Sequence, residues 1–196
     1  IDQAKEALDV AFAIEGNRVV IEECLVGFEF SLISLVHNDK VYPLEVAQDH
    51  KPVGDGDVGA NTGGMGSYSP VKKITPALKE EALEKNIYPM AKAMVKEGVP
   101  FTGFLYGGLM ETKDGVKTIE FNARFGDPEA EVILPRLESD FVQAMLDVMD
   151  DKPVDLKWTK QVSHGVVMAS TNYPQSSTKG AVIEIPDDLN GYVYHM

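Results

Sequence analysis

The segment that most constrains this chain covers residues 118–129, where apolar and polar side chains alternate before a sharp turn. Alternation with a period of two is typical of a β-strand that has one packed face and one open face. The apolar face would carry Ile119, Phe121 and Ala123, and the polar face Glu120, Asn122 and Arg124. The segment therefore predicts a strand with a carboxylate, an amide oxygen and a guanidinium in one row.

The residue types on the polar face suit a particular chemistry. Carboxylate and amide oxygens are hard ligands that favour Mg²⁺, and a guanidinium can hold a phosphate through paired hydrogen bonds. A half-buried strand with a solvated polar face would give the same pattern, and for this motif alone it is the commoner explanation. The turn that follows, Gly126-Asp127-Pro128-Glu129, adds a proline near a helix start and acids in the first helical turn.

A long glycine-rich segment over residues 54–70 is the second unusual feature. Long irregular loops in compact domains are usually functional or disordered. Glycine lets backbone N–H groups approach a ligand closely, and successive N–H groups can form an anion-binding nest. We therefore expect backbone N–H groups of this loop to bind an anion. A tight loop shaped by turn geometry alone is the alternative.

Familiar phosphate and metal motifs do not fit this loop. The spacing of Gly54, Gly56 and Gly59 matches a dinucleotide fingerprint, but no helical pattern follows and the intervening aspartates would repel a pyrophosphate. The P-loop spacing places Met65 where the lysine belongs. A calcium loop that opened at Asp55 would lack both its glycine and its bidentate glutamate.

Composition narrows the function classes without identifying one. The chain has 196 residues, 44% of them hydrophobic, and 31 acidic against 18 basic residues give a net charge of −13. Nucleic-acid and anionic-membrane partners need a basic footprint, so we expect neither. The single cysteine, Cys24, allows no internal disulfide and fits a reducing cytoplasm, and its apolar neighbours predict a buried side chain. No apolar run is long enough to predict a membrane span.

Periodicity and turn residues predict an α+β fold. Helices are expected over 2–14, over 76–98 after a cap at Thr75, and over 130–149 with a kink at Pro135. Strands are expected over 19–24, 29–37, 40–47, 102–111, 117–122, 161–171 and 181–185, with a tight turn at Asn38 and Asp39. We expect a first domain over 1–149, a linker over 150–160 and the start of a β-rich domain over 161–196.

Together these segments resemble the ATP-grasp ligases and, within them, the glycinamide ribonucleotide synthetase family. The most specific strings are Asn-Thr-Gly-Gly-Met-Gly over 61–66 and Glu-Phe-Asn-Ala-Arg-Phe-Gly-Asp-Pro-Glu over 120–129. Residues 21–29, 48–51, 67–70 and 103–110 extend the resemblance over nearly the whole chain. It implies the C-terminal lobe of an ATP-grasp domain, with an antiparallel sheet flanked by helices, followed by the start of a small β-rich C-terminal domain.

The resemblance implies an ATP site at the first predicted strands. Glu22, Glu23 and Leu25 match the hinge that meets the adenine base through backbone groups. Glu29 matches the position that binds the ribose hydroxyls. Exposed carboxylates are common, so a solvated strand end stays open as the alternative for the two hinge acids. Among the histidines, only His50 is connected to the site.

A metal site and a substrate site follow from the same resemblance. Glu120 and Asn122 match the ligands of Mg²⁺ or Mn²⁺, and Arg124 matches a catalytic residue at the nucleotide phosphates. The strand before them holds no acid until Glu111, which we leave unassigned. The implied substrate-binding residues are Asp55, Asp57, Asn61, Thr62, Gly63, Gly64, Met65, Asp127, Pro128 and Glu129. We expect residues 61–66 to cradle the 5-phosphate of a phosphoribosylamine substrate, Asp55 and Asp57 to accept hydrogen bonds from its ribose hydroxyls or its amine, and ATP to lie on the side of Glu29 and Glu120.

The reaction implied by the resemblance joins glycine to 5-phosphoribosylamine in purine biosynthesis, driven by ATP. Glycine is first phosphorylated to glycyl phosphate, and the amine then displaces phosphate to give glycinamide ribonucleotide. The resemblance further implies a cytoplasmic monomer, of which this chain would be a central piece that is inactive alone. Two alternatives stay open: an ATP-grasp ligase that acts on another acid, and a binding module without chemistry.

Overall fold

The computed structural model describes residues 2–14 and 18–195 and contains one main antiparallel sheet. The strands are β1 (Gly27–His37), β2 (Lys40–Asp49), β3 (Pro52–Gly54), β4 (Val58–Asn61), β5 (Gly66–Ser69), β6 (Thr102–Thr112), β7 (Gly115–Asn122) and β8 (Ser163–Val166). Six of them form the main sheet in the order β7-β6-β1-β2-β5-β8, and β3 pairs with β4 in a separate hairpin. Every pairing is antiparallel, as predicted.

Five α-helices accompany the strands in the described residues. They are α1 (Asp2–Phe12), α2 (Pro76–Ala82), α3 (Tyr88–Lys96), α4 (Ala130–Ile133) and α5 (Phe141–Met149). The Thr75 side chain caps α2 by accepting a hydrogen bond from the Leu78 N–H, as predicted. A π-helical turn over Leu83–Ile87 joins α2 to α3 just before Pro89, which has no N–H to continue the ladder. None of the described helices has the length and apolar character that crossing a membrane requires.

The two faces of the main sheet pack against different helices. Phe30 and Leu32 of β1 point to one face of the sheet. They are buried with Leu83 and Ile87 of the long helical segment, which is formed by α2, the π-helical turn and α3. Ile33 points to the opposite face and packs around α4 in a second apolar cluster. Because α4 is only four residues long, it covers part of this second face. The polar residues described below continue the same face beyond the helix.

The hairpins of the sheet agree with the sequence predictions. β1 and β2 meet at the predicted turn, where Asn38 has a left-handed φ of 58° that Asn tolerates. β6 and β7 form the second predicted hairpin, with a register shift between Gly108 and Leu109. These strands extend the predicted ranges by no more than two residues at any end.

The predicted strand over 19–24 is wrong. Residues 18–26 have no regular secondary structure, and Val20 and Ile21 are 80% and 83% exposed. A strand needs a hydrogen-bonded neighbour, and this segment pairs with none of the described strands. For the same reason the prediction that Cys24 is buried is wrong, because its side chain is exposed.

The single helix predicted over 130–149 is also wrong. After α4 a short 3-10 turn covers Leu134–Arg136, and Leu137 is then extended and pairs with Trp158. Pro135 removes one backbone donor from the helix at this point. A new helix, α5, begins after Asp140, whose carboxylate accepts a hydrogen bond from the Gln143 N–H at 2.9 Å. The predicted kink is therefore a complete break.

The C-terminal strand predictions are only partly correct. Within 161–171 the one strand is β8, which pairs with β5 at the edge of the main sheet. Residues 181–185 form no strand, and Val182 and Ile183 are 87% and 72% exposed. The division into a domain, a linker and a second domain stays a prediction.

Candidate active site

The register of the main sheet brings predicted ATP and metal residues onto one face. Residues directly opposite each other on antiparallel strands lie on the same face. Ser31 of β1 pairs with Gly108 of β6, which pairs in turn with Glu120 of β7. Glu29, two residues before Ser31, shares this face, and the pairing of β1 with β2 adds Asp49. Four adjacent strands therefore present one polar surface.

Glu120 and Asn122 fit a divalent cation. Glu120 is exposed, and within the described residues its carboxylate forms neither an ion pair nor a hydrogen bond. Gly108 keeps the space beside it open, because a Cβ there would lie 3.1 Å from the Glu120 Cγ. One carboxylate and one amide oxygen, completed by phosphate oxygens and water, form a set that Mg²⁺ or Mn²⁺ accepts. No group of three or more His, Cys, Asp or Glu in the described parts of the chain could hold a metal.

Lys51 lies at the centre of the polar face. Its ammonium is paired with the Glu29 carboxylate and lies 3.7 Å from Oδ2 of Asp49. Burial favours the neutral amine, but the hydrogen bond from Lys51 to Glu29 and the charges of Asp49, Glu29 and Glu120 outweigh it. The pKa of Lys51 is therefore raised, and the group is a cation at neutral pH. Glu29, the expected ribose ligand, is thus engaged by a cation.

Asp49 is the most unusual acid of the face. Its side chain is only 2% exposed, and Oδ1 has no hydrogen-bond partner in the described structure. Burial raises the pKa of Asp49 to about 6, the nearby charge of Glu129 adds to the effect, and Lys51 opposes it. Proximity to other acids and loss of water therefore both disfavour the charged form.

Glu129 belongs to a buried polar cluster on the same face of the sheet. It is 2% exposed, and its Oε1 accepts hydrogen bonds from Ser31 Oγ at 2.7 Å and from the Tyr106 hydroxyl at 2.8 Å. Burial, followed by the charge of Glu129, raises the pKa of Tyr106 well above its usual value, so its hydroxyl stays protonated. The cluster joins β1 and β6 to the turn before α4.

The predicted substrate loop, residues 61–66, is tied to the segment that follows β2. The N–H of Thr62 donates to the Lys51 carbonyl at 2.8 Å, and the N–H of Met65 donates to the His50 carbonyl at 2.7 Å. The Thr62 hydroxyl also donates to the Lys51 carbonyl at 2.8 Å and accepts from the Gly64 N–H at 3.0 Å. The loop therefore satisfies much of its own hydrogen bonding, and Asn61 at its start is exposed.

The turn at 126–129 supports the same loop from the other side. The Pro128 carbonyl accepts a hydrogen bond from Ser67 Oγ at 2.6 Å. Gly64 has a φ of 137°, and a Cβ there would lie 2.4 Å from Pro128 Cδ. Only glycine fits this contact without displacement, so Gly64 serves the packing of the loop. Asp127 is exposed and Pro128 is buried, which leaves Asp127 as the acid of this turn that faces solvent.

The other predicted substrate acids lie on an exposed hairpin. Asp55 and Asp57 are both exposed, in the turn between β3 and β4. His50 Nδ1 lies 3.1 Å from Oδ1 of Asp57, and its ring stacks on Tyr68 with centroids 6.2 Å apart. His50 therefore links this hairpin to β5, beside the loop.

The remaining predicted site residues are less constrained. Arg124 follows β7 and is exposed; its Nη1 donates to the Phe125 carbonyl at 2.7 Å, and its guanidinium has no acidic partner in the part of the chain that is described. Glu22 and Glu23 are exposed in the irregular segment before β1, and Leu25 is half-buried.

Sequence reasoning missed several members of this surface. Asp49 and Lys51 flank His50 in a string that carried the resemblance, yet neither received a role. Ser31 could have been found from strand alternation, because it lies two residues from Glu29. Tyr106 could not, because its partner Glu129 lies 23 residues away across a turn.

A family model matches about two thirds of the chain. The model of the phosphoribosylglycinamide synthetase ATP-grasp (A) domain matches residues 1–130. Curated relatives called phosphoribosylamine–glycine ligase include one from Lactococcus lactis, 52% identical over 98% of this chain and 47% of its own length. One from Listeria monocytogenes is 53% identical over 96% of this chain and 46% of its length. The chain thus spans about half the length of the curated relatives it matches.

Solved structures agree with the family match. The crystal structure of a phosphoribosylamine–glycine ligase from Thermotoga maritima has a TM-score of 0.82 and 33% identity, over 95% of this chain and 48% of that chain. N5-carboxyaminoimidazole ribonucleotide synthetase from Thermus thermophilus has a TM-score of 0.59 and 17% identity, over 84% and 42% of the two chains. The second likeness is one of fold alone.

Proposed function

The chain belongs to the phosphoribosylglycinamide synthetase family, and we propose that, within the complete enzyme, it supplies the metal ligands and the substrate loop of a phosphoribosylamine–glycine ligase. The observation that carries this proposal is the shared face of Glu29, Glu120 and Asn122, which borders a loop anchored at Lys51. A ligase of two substrates needs a nucleotide and metal surface beside a second small-molecule site, and this arrangement supports such an assignment.

The proposed reaction proceeds in two steps. The glycine carboxylate attacks the γ-phosphorus of ATP and releases ADP, which gives glycyl phosphate. The amine of 5-phosphoribosylamine then attacks the acyl carbon and releases phosphate, which gives glycinamide ribonucleotide. A carboxylate is a poor acylating agent because oxide is a poor leaving group, and phosphorylation supplies a good one. In this proposal the enzyme acts in purine biosynthesis, in the cytoplasm.

The residues of this chain act by holding and orienting the reactants. Glu120 and Asn122 would hold Mg²⁺ or Mn²⁺, which when bound neutralises charge on the phosphates. Arg124 stabilises the charge that develops on the transferred phosphoryl group. Glu29 accepts hydrogen bonds from the ribose of ATP once Lys51 releases it. The complete enzyme supplies the other phosphate ligands.

Lys51 connects the two halves of the proposed site. Its side chain pairs with Glu29 on the nucleotide side, and its carbonyl accepts two hydrogen bonds from Thr62 in the substrate loop. Nucleotide binding at Glu29 would therefore change the surroundings of the residue that anchors the loop. A cation released there is also suited to the carboxylate of glycine or to a departing phosphate.

The test is the substrate requirement for ADP formation by the complete enzyme. ADP release should require a divalent cation and glycine, and glycinamide ribonucleotide should form only when 5-phosphoribosylamine is added. ADP formation with another amino acid, in the absence of glycine, would point instead to a ligase of different specificity. Nucleotide binding without any ADP release would indicate a module without chemistry.

A further inference from the structure

A cavity lies between the substrate loop, residues 61–66, and the segment that follows β8. Its volume is about 590 Å³, which is within the range of small-molecule sites. Gly63, Gly64, Arg124 and Asp127 line one side, and Tyr173 with residues 167–170 lines the other. The sequence analysis assigned no function to Tyr173 or to residues 167–170.

Tyr173 reaches across the cavity to the loop. Its hydroxyl accepts a hydrogen bond from the Gly63 N–H at 3.3 Å, and its ring is half-buried. Among the described residues no acceptor faces the phenolic proton, so the hydroxyl still has a hydrogen bond to donate. Tyr173 can therefore donate a hydrogen bond to a ligand while its ring continues to line the cavity.

The contact at Gly63 is the weakest of the loop. The N–H groups of Thr62, Gly64 and Met65 donate to acceptors at 2.8, 3.0 and 2.7 Å within the loop and its anchor. The Gly63 N–H has only the longer contact to Tyr173, which is near the limit of a useful hydrogen bond. It is therefore the backbone donor that an incoming acceptor can most easily take over.

The charges around the cavity favour an anion at one end. The Arg124 guanidinium lines the cavity and has no acidic partner among the described residues. Together with the Gly63 N–H and the Tyr173 hydroxyl it offers three kinds of donor, the set that a phosphate monoester accepts. Asp127 lines the same cavity and can accept hydrogen bonds from hydroxyls or an amine.

We infer that Tyr173 is a substrate-binding residue, which donates a hydrogen bond to the 5-phosphate of phosphoribosylamine while the Gly63 N–H turns to the same phosphate. This inference rests on the proposed function. A sugar phosphate suits the cavity better than a nucleotide does, because Glu29, Glu120 and Asn122 lie on the sheet face and do not line the cavity. Arg124 would then lie between the phosphates of ATP and the 5-phosphate of phosphoribosylamine.

The test compares Tyr173→Phe with Tyr192→Phe in the complete enzyme. Tyr192 is exposed and lies beside a different cavity around Arg136, so it is a matched control. Removing one hydrogen bond to a charged phosphate should raise KM for phosphoribosylamine about tenfold, with KM for ATP changed less than about twofold. Melting curves of both variants should match that of the unaltered enzyme.

A second measurement isolates the phosphate. Ribose 5-phosphate and ribose are compared as inhibitors against phosphoribosylamine, and Tyr173→Phe should weaken inhibition by ribose 5-phosphate alone. An unchanged KM for phosphoribosylamine, or an equal rise in KM for ATP, overturns the inference while the proposed function stands. If the unaltered enzyme forms no ADP with glycine, the proposed function fails, and this result is seen before any variant is tested.

Discussion

The strand that ends at Asn122 and the turn that follows it carry acids of opposite character. Glu120 is exposed and unpaired among the described residues, whereas Glu129 is 2% exposed and accepts hydrogen bonds from Ser31 and Tyr106. Both come from the ten-residue string that carried much of the resemblance. One short motif therefore supplies one exposed carboxylate and one that is buried and hydrogen-bonded.

The difference in burial between Glu120 and Glu129 indicates different roles for the two carboxylates. An open carboxylate keeps its affinity for a cation, because no resident partner has to be displaced. A buried and hydrogen-bonded carboxylate fixes geometry, and here it holds the turn whose Pro128 packs on Gly64 of the substrate loop. We expect changes at Glu120 to affect catalysis and changes at Glu129 to affect stability first.

The largest expected effect is at Glu129. Glu129→Ala leaves the buried hydroxyls of Ser31 and Tyr106 without their acceptor and opens a cavity, which should lower the free energy of unfolding by about 3–5 kcal/mol. Urea unfolding of the complete enzyme measures the change. Glu129→Gln is the matched control, because its amide oxygen can still accept from both hydroxyls, and its loss should be much smaller. Equal losses for the two variants would mean that the hydrogen bonds are not what stabilises the turn.

The next effect should appear in turnover. Glu120→Gln keeps the shape of the side chain and removes the charge that a divalent cation needs, so kcat should fall by at least about a hundredfold at limiting Mg²⁺. The unfolding free energy should stay within about 0.5 kcal/mol of the unaltered value, because the residue is exposed. The control is Glu84→Gln on the exposed side of the long helical segment. Near-normal turnover for Glu120→Gln would remove Glu120 from the proposed metal site.

The parts of the fold that were predictable from sequence are those fixed by local pattern. β1, β2 and the β6–β7 hairpin followed from alternation and turn residues, and the cap at Thr75 followed from its neighbours. The failures concern segments whose structure depends on distant partners. Residues 19–24 have the composition of a strand but no neighbour in the described structure, and Leu137 leaves the helix to pair with Trp158.

The same division applies to the candidate site. Glu120 and Asn122 could be found because they share one strand and one face. The Ser31, Tyr106 and Glu129 cluster could not, because its members are 23 to 98 residues apart and meet only after β1, β6 and the turn have packed. Tyr173 was missed for a similar reason, since its partner Gly63 lies 110 residues away in sequence.

The smallest expected effect concerns Asp49, which lies between the open and the buried regions. Burial raises the pKa of Asp49 to about 6 in the folded state, against 3.8 for an ordinary aspartate. Between these values the folded state binds more protons than the unfolded state, so this group makes the protein less stable as pH rises. Asp49→Asn cannot ionise. Relative to the unaltered enzyme, its unfolding free energy should therefore improve by about 1 kcal/mol between pH 5 and pH 7.

Urea titrations of the complete enzyme at both pH values measure this difference, with Asp39→Asn at the exposed β1–β2 turn as the control. Only the difference between the two pH values is diagnostic, because any pH-independent cost of replacing the carboxyl group by an amide cancels in it, while the attraction of Lys51 is already contained in the pKa of Asp49. A gain confined to Asp49→Asn would place Asp49 with Glu129 in the buried region. If the stability of Asp49→Asn follows that of the unaltered enzyme across this range, Asp49 is solvated like Glu120, and the boundary between the two regions lies deeper in the sheet.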